Sequence, residues 1–242
     1  MRLSVIISSF LVLGIAFSSC QKELIPDQFK MGYRSGVSVK SLQNEVLFSG
    51  YGQEVAKEID LDEDGEYDLK FYTYATDSLG DQDKRGSSVW ALDWNIEFGY
   101  QVAYDDLYSV TQNSDRGLRE IIFNERSHFN CESCQNLSQK SERFTFSTPV
   151  LLEEGNSLSR HIKWSDKLQI LSQFDKSRQY NRERNDIPVY NNIMTGIWDE
   201  NGEGYLPFRI KTSFAKYQYG WIKLRVFDHR RIEFFEIAIQ ED

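Results

Sequence analysis

The sequence predicts an all-β protein, a single antiparallel β-sandwich or jelly-roll domain with little helix. Three observations carry this: apolar and aromatic residues recur at every second position, aromatics make up 14% of the chain, and the turns between the alternating runs are short. Period two is the signature of strands with one face in a core and one in water, and such sheets are mostly antiparallel. Many short strands with turns between them fit two packed layers.

In chain order, Arg2 precedes an apolar run from Leu3 to Phe17, and Ser18 and Ser19 lead into Cys20. Basic start, apolar middle and small-residue exit are the parts of a secretory signal, too short and serine-broken for a spanning helix. Residues 1–19 are expected to be that signal. Residues 20–40, with one proline, two glycines and no sustained period, are expected to be a tether, and residues 41–242 the folded domain.

The strongest alternation is Trp90, Leu92, Trp94, Ile96, Phe98, Tyr100 and Val102, with Asp93, Asn95, Glu97 and Gln101 between them. It predicts one long strand with Trp90 and Trp94 on its buried face and a bulge or bend near Gly99. Leu69, Phe71 and Thr73 form a shorter run. Phe208, Ile210, Thr212 and Phe214 form another, and Ile222, Leu224 and Val226 a third. A turn over Phe227–Arg231 leads to a last strand with Phe235, Ile237 and Ile239. Trp164, Leu168, Leu171 and Phe174 fit one face of a helix, although Leu168 and Ile170 fit a strand as well.

Residues 60–68 read Asp-Leu-Asp-Glu-Asp-Gly-Glu-Tyr-Asp. Carboxylates at positions one, three and five of a tight loop, with glycine at six, converge oxygens on a hard cation such as Ca²⁺ and let the position-seven carbonyl turn inward. An EF-hand requires glutamate at position twelve, where Phe71 stands, so that reading fails. The segment resembles the Asp-rich loops between strands of integrin-type and thrombospondin-type repeats. That resemblance implies a structural calcium held by side-chain oxygens of Asp60, Asp62, Asp64 and Asp68 and the carbonyl of Glu66. The competing reading is a metal-free acidic hairpin turn, with Asp64-Gly65 suited to positive φ.

Besides Cys20 the chain has Cys131 and Cys134. An even pair in an exported protein points to a disulfide closing a very small loop. Two other readings stay open: a zinc site with His128 and a recruited His161 or His229, or a redox pair at a helix start.

Phe17-Ser18-Ser19-Cys20 resembles the lipobox of bacterial lipoproteins, which implies acylation of Cys20 and membrane attachment through the lipid. Gln21-Lys22-Glu23 resembles the signal sending Bacteroidota lipoproteins to the outer face of the outer membrane. Leu24 stands where a second acid is usual, so surface display is the expectation and a periplasm-facing anchor the alternative. With the Asp-rich loop near the start and Tyr217-Gln218-Tyr219-Gly220-Trp221-Ile222 near the end, the chain resembles a loose group of Bacteroidota lipid-anchored β-sandwich proteins of unknown function.

The net charge of −9 excludes a nucleic-acid partner, and Arg178, Arg182 and Arg184 read as a solvated loop. No nucleophile elbow, zinc-protease helix, phosphate-binding loop or dinucleotide fingerprint is present. A non-catalytic binding or interaction module of the cell envelope, with a structural calcium loop, is the expected function. A carbohydrate-binding lipoprotein of a glycan-uptake system is the alternative, and a hydrolase with an unrecognised carboxylate pair ranks below both. Trp198, beside Asp199-Glu200-Asn201-Gly202, is the candidate ligand-facing aromatic.

Overall fold

The computed structural model describes residues 29–76, 82–114, 117–127, 139–180, 188–198, 202–213 and 216–241. Cys20, His128, Cys131, Cys134, Arg182 and Arg184, on which several expectations rest, lie outside them. The protein is all-β. Its strands are β1 (Val37–Phe48), β2 (Gln53–Ile59), β3 (Leu69–Ala75), β4 (Asp83–Ala91), β5 (Ile96–Ser114), β6 (Gly117–Asn124), β7 (Gln139–Pro149), β8 (Lys163–Ser165), β9 (Gln169–Tyr180), β10 (Pro188–Gly196), β11 (Gly202–Ser213), β12 (Lys216–Phe227) and β13 (Arg231–Gln240). Among the described residues a single 3₁₀ turn, Glu125–Ser127, interrupts them.

The strands form one hydrogen-bonded path in the order β1-β13-β12-β11-β5-β6-β10-β9-β4-β3-β2, and β7 and β8 pair with β5 off it. Among the described residues every strand pairing is antiparallel except β6 with β10. The long β5 makes this possible. Residues 96–98 pair with β11, 100–109 with β7 and 107–114 with β6. The sheet curls, so its apolar faces at the two ends of the path meet. Leu69 and Phe71 of β3, Val89 of β4 and Leu171 of β9 share one core with Phe208 of β11, Ile222 and Leu224 of β12 and Phe234 of β13. Phe71 meets Phe234 edge to face at 4.8 Å, a favoured aromatic geometry. The layers are thus the two flanks of one curled sheet.

A second core lies on the outer face of β11–β13. Tyr219 and Trp221 alternate with Gly220 and Ile222, so the outward pair meets Phe29, Met31, Leu158 and Tyr205. Residues 29–40, expected within the tether, are therefore packed: Phe29 and Met31 are buried and β1 starts at Val37. The adjoining Arg209 is buried between the rings of Trp164 and Tyr217, 4.8 and 3.9 Å from their centroids, with its charge met by Glu97 at 2.5 Å.

Four local expectations can be set against the strands. The seven-residue alternation is two strands: β4 ends at Ala91 and β5 begins at Ile96. Asp93 accepts hydrogen bonds from the backbone and side-chain N–H of Asn95 (2.9 and 3.1 Å), an Asx turn that breaks the run despite its perfect period. At Gly99 β5 changes partner, from β11 over 96–98 to β7 from Tyr100, and the register shift in the β7 ladder falls at Leu107/Tyr108. The helix candidate is strand: Trp164 lies in β8, Leu171 and Phe174 in β9, and Leu168 is exposed between them. Arg178, read as loop, lies within β9.

Candidate functional site

The acidic segment joins β2 to β3 at Ile59 and Leu69, the last pair of that hairpin ladder. Asp68 N–H donates to the Ile59 carbonyl at 2.9 Å and closes the loop neck. Inside the loop the carboxylates organise the backbone. Asp60 accepts from the N–H groups of Glu63 (2.6 Å) and Gly65 (2.9 Å), Asp64 from Glu66 (2.8 Å), and Asp68 from Leu61 (2.6 Å). Gly65 takes φ 95° and Glu63 φ 64°, so the chain winds tightly around its own acids.

That winding brings one carboxylate oxygen each from Asp60, Asp62 and Asp68 within 4.8 Å of one another. Asp64, expected as a fourth side-chain ligand, is not in this group, and the Glu66 N–H donates to Asp64 outside it. Burial, together with the negative charge of Asp62, Asp60 and Asp93, pushes the Asp68 carboxyl above its ordinary range, although the Leu61 N–H opposes this. An all-oxygen donor set under mutual repulsion is the donor chemistry by which a hard cation could be held.

Two features adjoin the loop. A cavity of about 510 Å³ lies between it and the strand ends of β1, β11, β12 and β13; Lys40, Asp62, Glu63, Thr212 and Gln218 supply polar walls and Ile237 and Ile239 an apolar floor. Lys40 pairs with Glu63 at 2.9 Å across one rim. The second feature is the turn 92–95. The Leu92 and Asp93 N–H groups donate to the Asp68 carbonyl (2.7 and 3.3 Å), and the Lys211 N–H donates to Asn95 (2.9 Å). This firmly held turn presents Trp94 at 75% exposure.

The candidate aromatic is therefore misplaced in the sequence reading. Trp198 is fully buried in the main core, with its backbone N–H on the Leu171 carbonyl (3.1 Å), and it presents no surface to a ligand. The acidic sequence after it suggested exposure, but Trp198, two residues past the end of β10, still follows that strand into the core. Trp94 was hidden by the opposite error: period two assigned it to a buried face, and the turn-forming Asp93 and Asn95 on either side were the overlooked signal.

His229, considered as a zinc ligand, is buried in the β12–β13 turn with Nδ1 2.6 Å from Ser172 Oγ and its ring stacked on Phe174. His161 is exposed. Compared with known protein families, curated proteins and solved structures, the chain matches none.

Proposed function

We propose that the protein is a cell-envelope lipoprotein, anchored through Cys20 in the outer membrane and facing the surface, whose folded part binds a ligand without transforming it. In this reading calcium shapes the Asp60–Asp68 loop, and the loop forms one wall of the adjoining cavity. The observation that supports it best is the convergence of Asp60, Asp62 and Asp68 beside that cavity. Calcium's role is structural: bound at the loop it would cancel the repulsion among these acids and fix the wall.

Melting of the folded chain in EDTA and in millimolar Ca²⁺ tests the loop. A metal that binds only the folded state adds about 2.7 kcal/mol at one hundred times its Kd, a rise of several degrees for a domain of this size. The rise should vanish in Asp60→Ala/Asp62→Ala. Equal melting in both solutions would leave an acidic hairpin turn and remove calcium from the proposal.

Glycan recognition is the form of binding favoured by Trp94. An exposed indole on a turn braced by the calcium loop supplies the flat apolar face on which a sugar ring stacks. Affinity electrophoresis through immobilised polysaccharides checks this. Trp94→Ala should abolish retardation and Trp94→Phe preserve part of it. If Trp94→Ala is retarded as strongly as the parent, Trp94 carries no glycan site.

A further inference from the structure

We propose that the face from which the chain emerges at Phe29, carrying Lys30, Tyr33 and Arg160–Lys163, lies against the headgroups of the bilayer holding the anchor. This rests on acylation of Cys20, proposed above. Chain length supplies the first argument. Residues 21–28 separate the lipidated cysteine from Phe29. Whatever path they take, nine Cα steps reach at most about 30 Å. A folded body of this size is about 45 Å across. Phe29 therefore stays within a tether shorter than the molecule, and the far side is out of reach of the surface.

The exit point is fixed on the fold. Phe29 is buried with its ring 6.0 Å from that of Tyr219, and its carbonyl accepts from Leu158 at 3.3 Å. Met31 donates to Asn156 and accepts from Gly155, both at 2.9 Å. The strap is thus bound edge to edge to the 153–162 loop, and that loop shares whatever surface the exit faces.

Its chemistry suits a phospholipid surface. From Leu158 to Trp164 the chain holds Arg160, His161 and Lys163, all exposed, and no acid, in a protein of net charge −9. Glu153 and Glu154 open the same loop, with Glu154 against Gly32 of the strap, so the cations are concentrated at residues 160–163. Beside the exit Tyr33 is 52% exposed with the Lys30 ammonium 5.3 Å from its ring centre. An amphipathic ring with a cation beside it is the pairing that settles at the headgroup level, and basic side chains there meet lipid phosphates. A second aromatic–basic cluster exists, with Phe48 and Tyr51 both against Arg230. It sits past the other end of β1, a strand of 12 residues that separates it from the exit by about 35 Å at the usual rise. The tether selects between the two.

The test uses the full chain, made with its own signal in a bacterium and reconstituted into phosphatidylethanolamine–phosphatidylglycerol vesicles bearing headgroup spin labels. A fluorescent amino acid replaces Ser159 in one variant and Tyr51 in another. Quenching several-fold stronger at 159 than at 51 is the expected result. Equal quenching, or stronger quenching at 51, overturns the inference. The mass of the N-terminal peptide separates the two layers of the argument. An acylated Cys20 with quenching at 51 sinks this orientation alone, whereas an unacylated Cys20 sinks the anchor and the orientation together.

Discussion

Tyr72 lies on the outward face of β3, beside Glu54 of β2 and between the rings of Tyr74 and Trp90. Burial of its ring edge, the hydrogen bond its hydroxyl donates to Glu54 and the charge of that carboxylate push its pKa up to about 12. A phenol held above its unfolded value of about 10 keeps its proton in the folded state after the unfolded chain has lost it. The stability it contributes is therefore complete below about pH 10 and is lost as the pH rises to about 12. Ultraviolet titration of the parent and of Tyr72→Phe should differ by one tyrosinate appearing near pH 12, and the variant should lose less stability over that window. A difference spectrum centred at pH 10 would contradict the Glu54 contact. Identity at this scale was only partly legible in the sequence. Spacing grouped Asp60, Asp62, Asp64 and Asp68, and three of these converge because loop geometry is local, while Asp64 stands apart. The exchange of roles between Trp94 and Trp198 could not be read from spacing, because one Asx turn and one strand exit decided it.

Between neighbouring strands, Tyr219-Gly220-Trp221-Ile222 shows what the sequence motif is for. Gly220 pairs directly with Phe208, whose ring lies across the glycine where a side chain would be, while the Ala238 carbonyl closes the other side at 2.7 Å from an added Cβ. Phe208 is thereby pressed flat into the main core, and Tyr219 and Trp221 are free to fill the outer one. Gly220→Ala forces the ring or the backbone to move, an overpacking cost of about 2 kcal/mol, and should lower the melting temperature by about 4–8 °C. Gly220→Ala combined with Phe208→Leu should lose less than the two single changes summed, since they share one contact. Strict additivity would mean that the ring does not occupy the glycine's place. The same scale explains why β13 was only half legible. Ile232, Phe234, Ile237 and Ala238 are its buried residues, and the ladder with β12 skips Phe235 between Lys223/Glu236 and Leu224/Phe234. A bulge shifts period two by one residue, and nothing in composition marks where it falls.

For the molecule as a whole, alternation sufficed to predict an all-β protein, but it does not encode which strands meet. The path through β5 to β6 and the parallel β10, which curls one sheet onto itself, depends on pairings far apart in sequence. The start of the fold was equally hidden, since Phe29 and Met31 alternate over too short a stretch, in a polar segment, to be read as a strand. Their role emerges only against Tyr219, Trp221 and Tyr205, which would otherwise present an aromatic face to water. That gives the strap a measurable weight. Burying a phenylalanine and a methionine is worth about 1.5–3 kcal/mol each, and the backbone bonds from Met31 to Gly155 and Asn156 hold the 153–162 loop in place. A chain beginning at residue 37 should therefore melt about 10 °C below one beginning at residue 29. It should also show increased hydrogen exchange confined to residues 152–162 and the outer face of β12. Coincident melting would mean that the outer core is stable without its strap and that residues 29–36 belong to the tether after all.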